Sequence, residues 1–231
     1  MALAKAVRPA VPLLLSLNAG YVDAAGFLAL KGLFTAHVTG NFVTLGASLA
    51  VGTSGVVARV LAVPVFCAAV LAARLMGTLL SNRGAPAFEI LIGIKLLLLI
   101  AGAALAIRLG PFLDGNGGPA IVTGMVLVAA MAVQNAVHHV HLGGAPPSTV
   151  LTGTTTQVML DLGDRICARR GAESEPDSRL ALMAATIVVF AIGCGGAAFL
   201  YMWVGTWCFL LPPVLAGLVL IVRLLGRRSA I

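Results

Sequence analysis

The sequence predicts an all-α integral membrane protein with six transmembrane helices and two additional Thr-Gly half-helices. Composition gives the class: of 231 residues, 60% are hydrophobic and only 10% are charged, whereas soluble domains are about 45–50% apolar and about 25% charged. Long apolar runs give the spans, because a helix that crosses a bilayer needs about 20 such residues. Two polar segments, 31–52 and 148–162, interrupt this pattern and give the half-helices.

The six spans divide into two similar halves. The only strong break, at 109–118, contains Pro111, Asp114 and several glycines. It separates repeat one (9–109) from repeat two (118–226) within a single membrane domain, 1–231. Each half has a span with polar residues, a Thr-Gly segment and two plain spans, so we predict an internal duplication. The spans are expected at 9–30, 56–80, 88–107, 119–140, 180–203 and 208–225.

Each Thr-Gly segment places polar or flexible residues where a lipid-facing helix would not have them. We interpret each segment as a polar break followed by a half-helix whose N-terminus lies inside the membrane beside a cavity. Free N–H groups at such an N-terminus favour an anion or a polar acceptor, although Thr39 or Asn41 could equally be an ordinary N-cap. The candidate binding residues of the two segments are His37, Thr39, Gly40, Asn41, Thr152, Gly153 and Thr154.

Polar side chains inside the spans supply further candidate binding residues. An ionisable residue within a span costs at least about 2.5–3.5 kcal/mol, so Asp23 should face a cavity, either as a proton carrier or as a structural carboxylate capped by Tyr21, a threonine or backbone N–H groups. Asn18 precedes it on the same span. Gln134 and Asn135 occupy the place in repeat two that residues 17 and 18 hold in repeat one, which predicts polar positions that face each other.

The distribution of cations predicts the topology. The net charge is +7, and the cations cluster at the N-terminus, in the charged region 161–179 and at the C-terminus, so all three should be cytoplasmic. Nucleic acid is therefore not an expected partner; the lipid bilayer is. Re-entrant Thr-Gly segments give six crossings and inverted repeats, and crossing ones give eight crossings and parallel repeats. Loop cations do not distinguish these models, but the polarity of 149–157 favours re-entrant segments.

Sequence patterns for catalysis or metal binding are absent. His138, His139 and His141 have no HExxH context and are interpreted as a polar helix end. The four cysteines form no CxxC pair. No nucleophile–base pattern, P-loop or dinucleotide fingerprint occurs. We therefore expect no metal, no cofactor and no enzymatic activity.

Two motifs resemble a known family. The stretch Asn-Ala-Gly-Tyr-Val-Asp-Ala-Ala-Gly-Phe-Leu at 18–28, followed by His-Val-Thr-Gly-Asn at 37–41, is similar to the YoaK-type family of bacterial inner-membrane proteins, a domain-of-unknown-function family. Gln-Asn-Ala at 134–136 and Thr-Gly-Thr at 152–154 look like its second signature. The resemblance covers about 12–224. It implies a compact multi-span protein of the bacterial inner membrane and no established reaction.

Two functions fit these features best. The first is a small-solute transporter or channel with a midplane site between the two half-helices and Asp23 as a proton-coupling group. The second is a non-transporting membrane scaffold or assembly protein whose polar interior is structural. An intramembrane enzyme is the least supported class. A homo-oligomer is compatible with either of the first two.

Overall fold

The computed structural model describes residues 2–149, 151–167 and 177–228. Within these ranges the chain is helical and contains no strand, which confirms the predicted all-α class. A 3-10 turn at Gly205–Leu210 precedes the last helix. The eight α-helices are α1 Ala2–Ala29, α2 Gly40–Val51, α3 Val56–Asn82, α4 Ala87–Leu109, α5 Gly118–His141, α6 Leu151–Ile166, α7 Asp177–Val204 and α8 Leu211–Arg228.

Five stretches of the described chain are long and apolar enough to cross a membrane. The last of them combines α7, the 3-10 turn and α8 over 50 residues, and α2 is too short to qualify. The exact number of crossings therefore stays a prediction. The five stretches are Ala10–Ala29, Val56–Asn82, Ala87–Leu109, Gly118–His141 and Ser178–Arg227.

Helix ends lie close to the predicted span limits except at two places. Helix α1 begins at Ala2, well before the predicted start at 9, and the predicted sixth span begins with the 3-10 turn. Pro212 and Pro213 stand in the first turn of α8, where a missing N–H costs no hydrogen bond. The charged region 161–179 was predicted to lie in water. Its first residue, Asp161, lies on α6 and is buried. Residues 168–176 of this region lie outside the described residues.

The helices pack in matched pairs. Helix α1 packs on α7, and α5 packs on α3 in the same way. Helix α1 also contacts α8, just as α5 contacts α4. The short helices match as well, because α2 packs on α3 and α6 packs on α7. If the 3-10 turn is counted with α8, the contacts keep the same pattern when α1–α4 are exchanged with α5–α8. An internal two-fold relation between the halves would generate this pattern.

Glycine permits the close approach of α1 and α7, as small residues commonly do between membrane helices. A Cβ on Gly193 of α7 would lie 2.3 Å from the Leu17 carbonyl oxygen, and one on Gly20 of α1 would lie 2.2 Å from the Phe190 carbonyl oxygen. Gly196, in the same small-residue run at 193–198, has nothing within 4 Å of an added Cβ. The run is therefore a contact surface on one side only.

Arg59 hydrogen-bonds to several loop residues at one end of the molecule, which we call the Lys31 end. The Arg59 residue is only 5% exposed. Its guanidinium donates hydrogen bonds to the carbonyl oxygens of Lys31 and Ser54, and to Ser48 Oγ at 2.6 Å. Asn116 Oδ1, in the loop before α5, accepts hydrogen bonds from the backbone N–H groups of Gly55 and Val57. The chain from 31 to 55 thus returns to the end of the molecule at which α1 stops.

The opposite end, which we call the Glu89 end, is tied by an ion pair. Arg227 Nη1 of α8 donates to Glu89 Oε1 of α4 at 3.0 Å, and the Arg223 guanidinium lies 4.7 Å from the Phe88 ring centroid. Because α1 stops at the Lys31 end and α5 at the Glu89 end, these two helices run in opposite directions.

Candidate functional site

Asp23 holds the loop that leads into α2. The residue is 5% exposed, and Oδ1 accepts the backbone N–H groups of Thr35 at 2.8 Å and Ala36 at 2.7 Å. Its second oxygen lies 2.7 Å from His37 Nδ1, which acts as the donor because a carboxylate only accepts. These charge-assisted bonds fix the 35–37 loop inside the bundle.

Asn41 pins the same loop from the other side. Its side-chain N–H donates to the Phe34 carbonyl at 2.8 Å, and its Oδ1 accepts the Phe34 N–H at 2.9 Å. Thr39 occupies the N-cap position of α2 but makes no capping hydrogen bond through its side chain. Neither Thr39 nor Asn41 is therefore an ordinary N-cap, which would accept a helix N–H group through its side chain.

The second Thr-Gly segment is held by a comparable set of bonds. Gln134 Nε2 of α5 donates to Ser148 Oγ at 3.0 Å and to the Leu15 carbonyl at 2.9 Å. Thr149 Oγ1 donates to Asn135 Oδ1 at 2.7 Å. In both halves, polar side chains of the preceding long helix therefore hydrogen-bond to the Thr-Gly segment and hold it inside the bundle.

These bonds give a repeat register that differs from the predicted one. Asp23 binds the loop 12 to 14 residues downstream, and Asn135 binds Thr149, 14 residues downstream. If the two halves are repeats, these bonds align Asp23, and not Asn18, with Asn135. The Asn18 side chain instead donates to the Pro212 carbonyl of α8, a contact between positions 194 apart that no local pattern indicates.

The largest of the cavities around the candidate residues is lined by both Thr-Gly segments. This main cavity has a volume of about 690 Å³ and is lined by Thr39 from the first segment and Thr152 from the second. His37, Asn135 and Thr149 also line it. Helices α3 and α5 complete its wall with Val63, Phe66, Cys67, Val70, Arg74, Ala136, His139 and Val140.

A second cavity lies on the other side of the same loop. This α1–α7 cavity has a volume of about 640 Å³, reaches Leu28 near the Lys31 end and includes Cys194 of α7. His37 and Thr39 line both cavities. Because the main cavity reaches Val140 near the Glu89 end, the 37–39 loop is a wall between two cavities that extend toward opposite ends.

The candidate binding residues divide into three groups. His37, Thr39, Asn135 and Thr152 line the main cavity, and Asp23 and Gly40 join His37 and Thr39 around the α1–α7 cavity. The others line neither cavity: Asn18, Tyr21, Asn41, Gln134, Gly153 and Thr154. Tyr21 donates its hydroxyl to the Cys208 carbonyl at 2.9 Å.

Sequence reasoning missed two cationic residues of the site region. Arg74 lines the main cavity, and Lys95 is completely buried, with Nζ 2.5 Å from Gln134 Oε1. Both are ionisable residues inside apolar spans, the signal that singled out Asp23.

The three histidines near the end of α5 do not converge. The His138 ring hydrogen-bonds to the Ala145 carbonyl, His139 lines the main cavity, and the His141 ring packs edge-on against Phe88. In the described ranges, no group of three or more His, Cys, Asp or Glu residues is placed to hold a metal ion.

Comparison with known proteins identifies the relatives of this chain. The model of a family described as Protein of unknown function (DUF1275) matches residues 11–222. The UPF0700 transmembrane protein YoaK of Bacillus subtilis (strain 168) is 27% identical over 195 residues, which is 82% of this chain and 82% of that protein. No solved structure gives a significant match. The resemblance inferred from the two motifs is confirmed.

Proposed function

The chain belongs to the DUF1275 family, and we propose that it moves a small solute across the bilayer as a transporter or channel. The observation that carries the proposal is the main cavity, bordered by Thr39 and Thr152 from the two Thr-Gly segments. Broken or re-entrant helices that meet around a polar cavity are the arrangement that transporters use for substrate sites. Lipid-exposed irregular backbone is not tolerated at membrane depth, whereas backbone that lines a cavity is.

The two cavities define the proposed path. A solute that enters from the Glu89 end occupies the main cavity and passes the 37–39 wall to reach the α1–α7 cavity. His37 is the side chain it meets there, because Nδ1 is held by Asp23 and Nε2 forms no hydrogen bond with another described residue. In this proposal, proton coupling would act through His37, with Asp23 as its positioning residue.

The proposed topology has six crossings, two re-entrant segments and inverted repeats in the bacterial inner membrane, with both termini cytoplasmic. It is supported by the return of the 31–55 chain to the Lys31 end and by the opposite directions of α1 and α5. Cysteine substitutions at Ser54 and Ser81 test it with a membrane-impermeant thiol reagent. Ser54→Cys should react from the periplasm and Ser81→Cys from the cytoplasm, and the reverse result would establish crossing segments.

Transport is tested by blocking the main cavity. Thr152→Trp fills the space between the segments, whereas Thr156→Trp, one turn further along α6, lies outside the cavity lining. In a proteoliposome flux screen of small metabolites, we expect Thr152→Trp to abolish wild-type flux at unchanged folded yield and Thr156→Trp to retain it. Wild-type liposomes that move no metabolite faster than empty ones would end the proposal, as would full flux through Thr152→Trp.

A membrane scaffold or assembly protein is the second candidate, and one observation favours it. The carboxylate of Asp23 and the amide of Asn41 are engaged in hydrogen bonds with their own loop, as a structural role requires. If the protein is a scaffold, Asp23→Asn and Asn41→Ala lower folded yield, but the well-folded Thr152→Trp variant keeps its activity in cells. Loss of that activity in Thr152→Trp would instead favour transport.

A further inference from the structure

We propose that the main cavity binds a small organic anion, with a carboxylate at one wall and an apolar body against the other. The inference rests on the proposed function and specifies its substrate class. Its basis is the charge of the lining. Arg74 is the one Arg or Lys among the described residues that line the cavity, and no Asp or Glu lines it. The Asp23 carboxylate lines the α1–α7 cavity instead and is occupied by its own loop and His37.

Arg74 lacks a counterion within the described part of the chain. It lies on α3, eight residues before the helix ends at Asn82, and none of the ion pairs formed by described carboxylates includes it. A guanidinium inside an apolar span is costly unless it is paired or solvated. Arg74 is exposed and lines the main cavity, so an anion bound there would pair with an accessible guanidinium.

Hydrogen-bonding side chains surround the same space. Thr39, Asn135, His139 and Thr152 contribute hydroxyl, amide and imidazole groups to the lining. Residues at the start of α6 also line the cavity, so the positive end of that helix dipole adds to the effect of Arg74. A planar guanidinium matches the geometry of a carboxylate and binds it through two parallel N–H···O bonds.

The rest of the wall is apolar. Val63, Phe66, Val70 and Val140 offer a hydrocarbon surface, which a hydrophilic inorganic anion would leave unused. The volume of about 690 Å³ lies within the roughly 300–1,000 Å³ range of small-molecule pockets. A single carboxylate on an aromatic or short aliphatic body matches both walls.

Cys67 provides a native reporter inside the cavity. It is exposed and lines the main cavity, whereas Cys194 lines the α1–α7 cavity. Two full-length variants retain only Cys67 or only Cys194, with the other cysteines replaced by alanine. The rate of N-ethylmaleimide labelling is measured in phosphatidylcholine nanodiscs with benzoate, benzamide or benzamidine, which share a shape and carry charges of about −1, 0 and +1 at neutral pH.

We expect benzoate to slow Cys67 labelling in a saturable manner, with benzamide and benzamidine at least tenfold weaker and Cys194 labelling unchanged. Arg74→Gln should raise the half-protecting benzoate concentration about tenfold or more, since a charge-assisted hydrogen bond is lost. Arg83→Gln, in the exposed turn after α3, should leave it unchanged. Equal protection by benzamide, or preferential protection by benzamidine, would overturn the anion assignment while leaving a solute cavity in place.

An anionic lipid headgroup could supply the same charge, so one arm exchanges the lipid. If phosphatidylglycerol nanodiscs protect Cys67 through Arg74 and benzoate gives no protection in either lipid, the soluble-anion assignment is overturned. Absence of protection by all three probes would also overturn it. The proposed function would still be judged by metabolite flux and by the Thr152→Trp block, which do not depend on the charge of the solute.

Discussion

Replacing Asp23 by asparagine should destabilise the protein by about 3 kcal/mol. The carboxylate makes three short hydrogen bonds, to the N–H groups of Thr35 and Ala36 and to His37 Nδ1, at 2.7–2.8 Å. Hydrogen bonds to charged groups contribute about 1.5–3 kcal/mol and neutral ones about 0.5–1.5 kcal/mol, so each bond loses about 1 kcal/mol. Asparagine keeps the size of the side chain, which excludes a cavity effect.

The measurement is reversible unfolding in mixed micelles titrated with sodium dodecyl sulfate and followed by circular dichroism. Asp114→Asn is the matched control, because this exposed aspartate accepts a single bond, from the Asn116 N–H at 2.9 Å. It should change the free energy of unfolding by less than about 0.5 kcal/mol. If Asp23→Asn is as stable as the control, Asp23 does not hold the loop. Unchanged stability with lost flux would identify Asp23 as a functional group of transport.

Three further substitutions test the packing and the buried cations. Gly193→Ala should lower the free energy of unfolding by about 1–3 kcal/mol because the added Cβ would clash with the Leu17 backbone. Gly196→Ala should be neutral or slightly stabilising. Equal unfolding midpoints for the two variants would contradict the one-sided contact. Gln134→Leu should cost about 1.5–3 kcal/mol because the buried Lys95 amine loses its hydrogen-bond partner. Adding Lys95→Met should recover part of that loss, and no recovery in the double variant would show that the other bonds of Gln134 dominate. Arg59→Lys should lower the free energy of unfolding by about 2 kcal/mol or more, because an ammonium cannot reproduce the fork of guanidinium donors. The same variant should be cleaved faster by proteases between residues 31 and 55. Protease resistance equal to that of the wild type would show that Arg59 does not hold these loops.

The sequence identified the site where polarity contradicts the apolar background. Asp23, His37, Thr39 and Thr152 stood out because lipid cannot solvate them, and the structure brings them around the two cavities. Composition was sufficient for the helical membrane class, and apolar run lengths located most helix ends.

Residues whose partners are distant in sequence could not be assigned in the same way. Asn18 binds a carbonyl of α8, and the partner of Lys95 stands 39 residues away on α5. The predicted repeat aligned Asn18 with Asn135 by residue type, whereas the hydrogen bonds to the following loop give Asp23 and Asn135 comparable partners. Arg74 becomes part of the main cavity only through the packing of α3 against α5, which the sequence of α3 alone does not indicate.

The hydrogen bonds of Arg59 also affect how the chain enters the membrane. A guanidinium enclosed by carbonyl and hydroxyl oxygens behaves as part of the folded interior, so it exerts little of the pull that free loop cations exert toward the cytoplasm. Among the described residues, Lys31 and Arg108 then remain as the exposed cations at the Lys31 end. In the proposed topology, in which the Lys31 end is periplasmic, the folded protein therefore exposes two positive charges there instead of three.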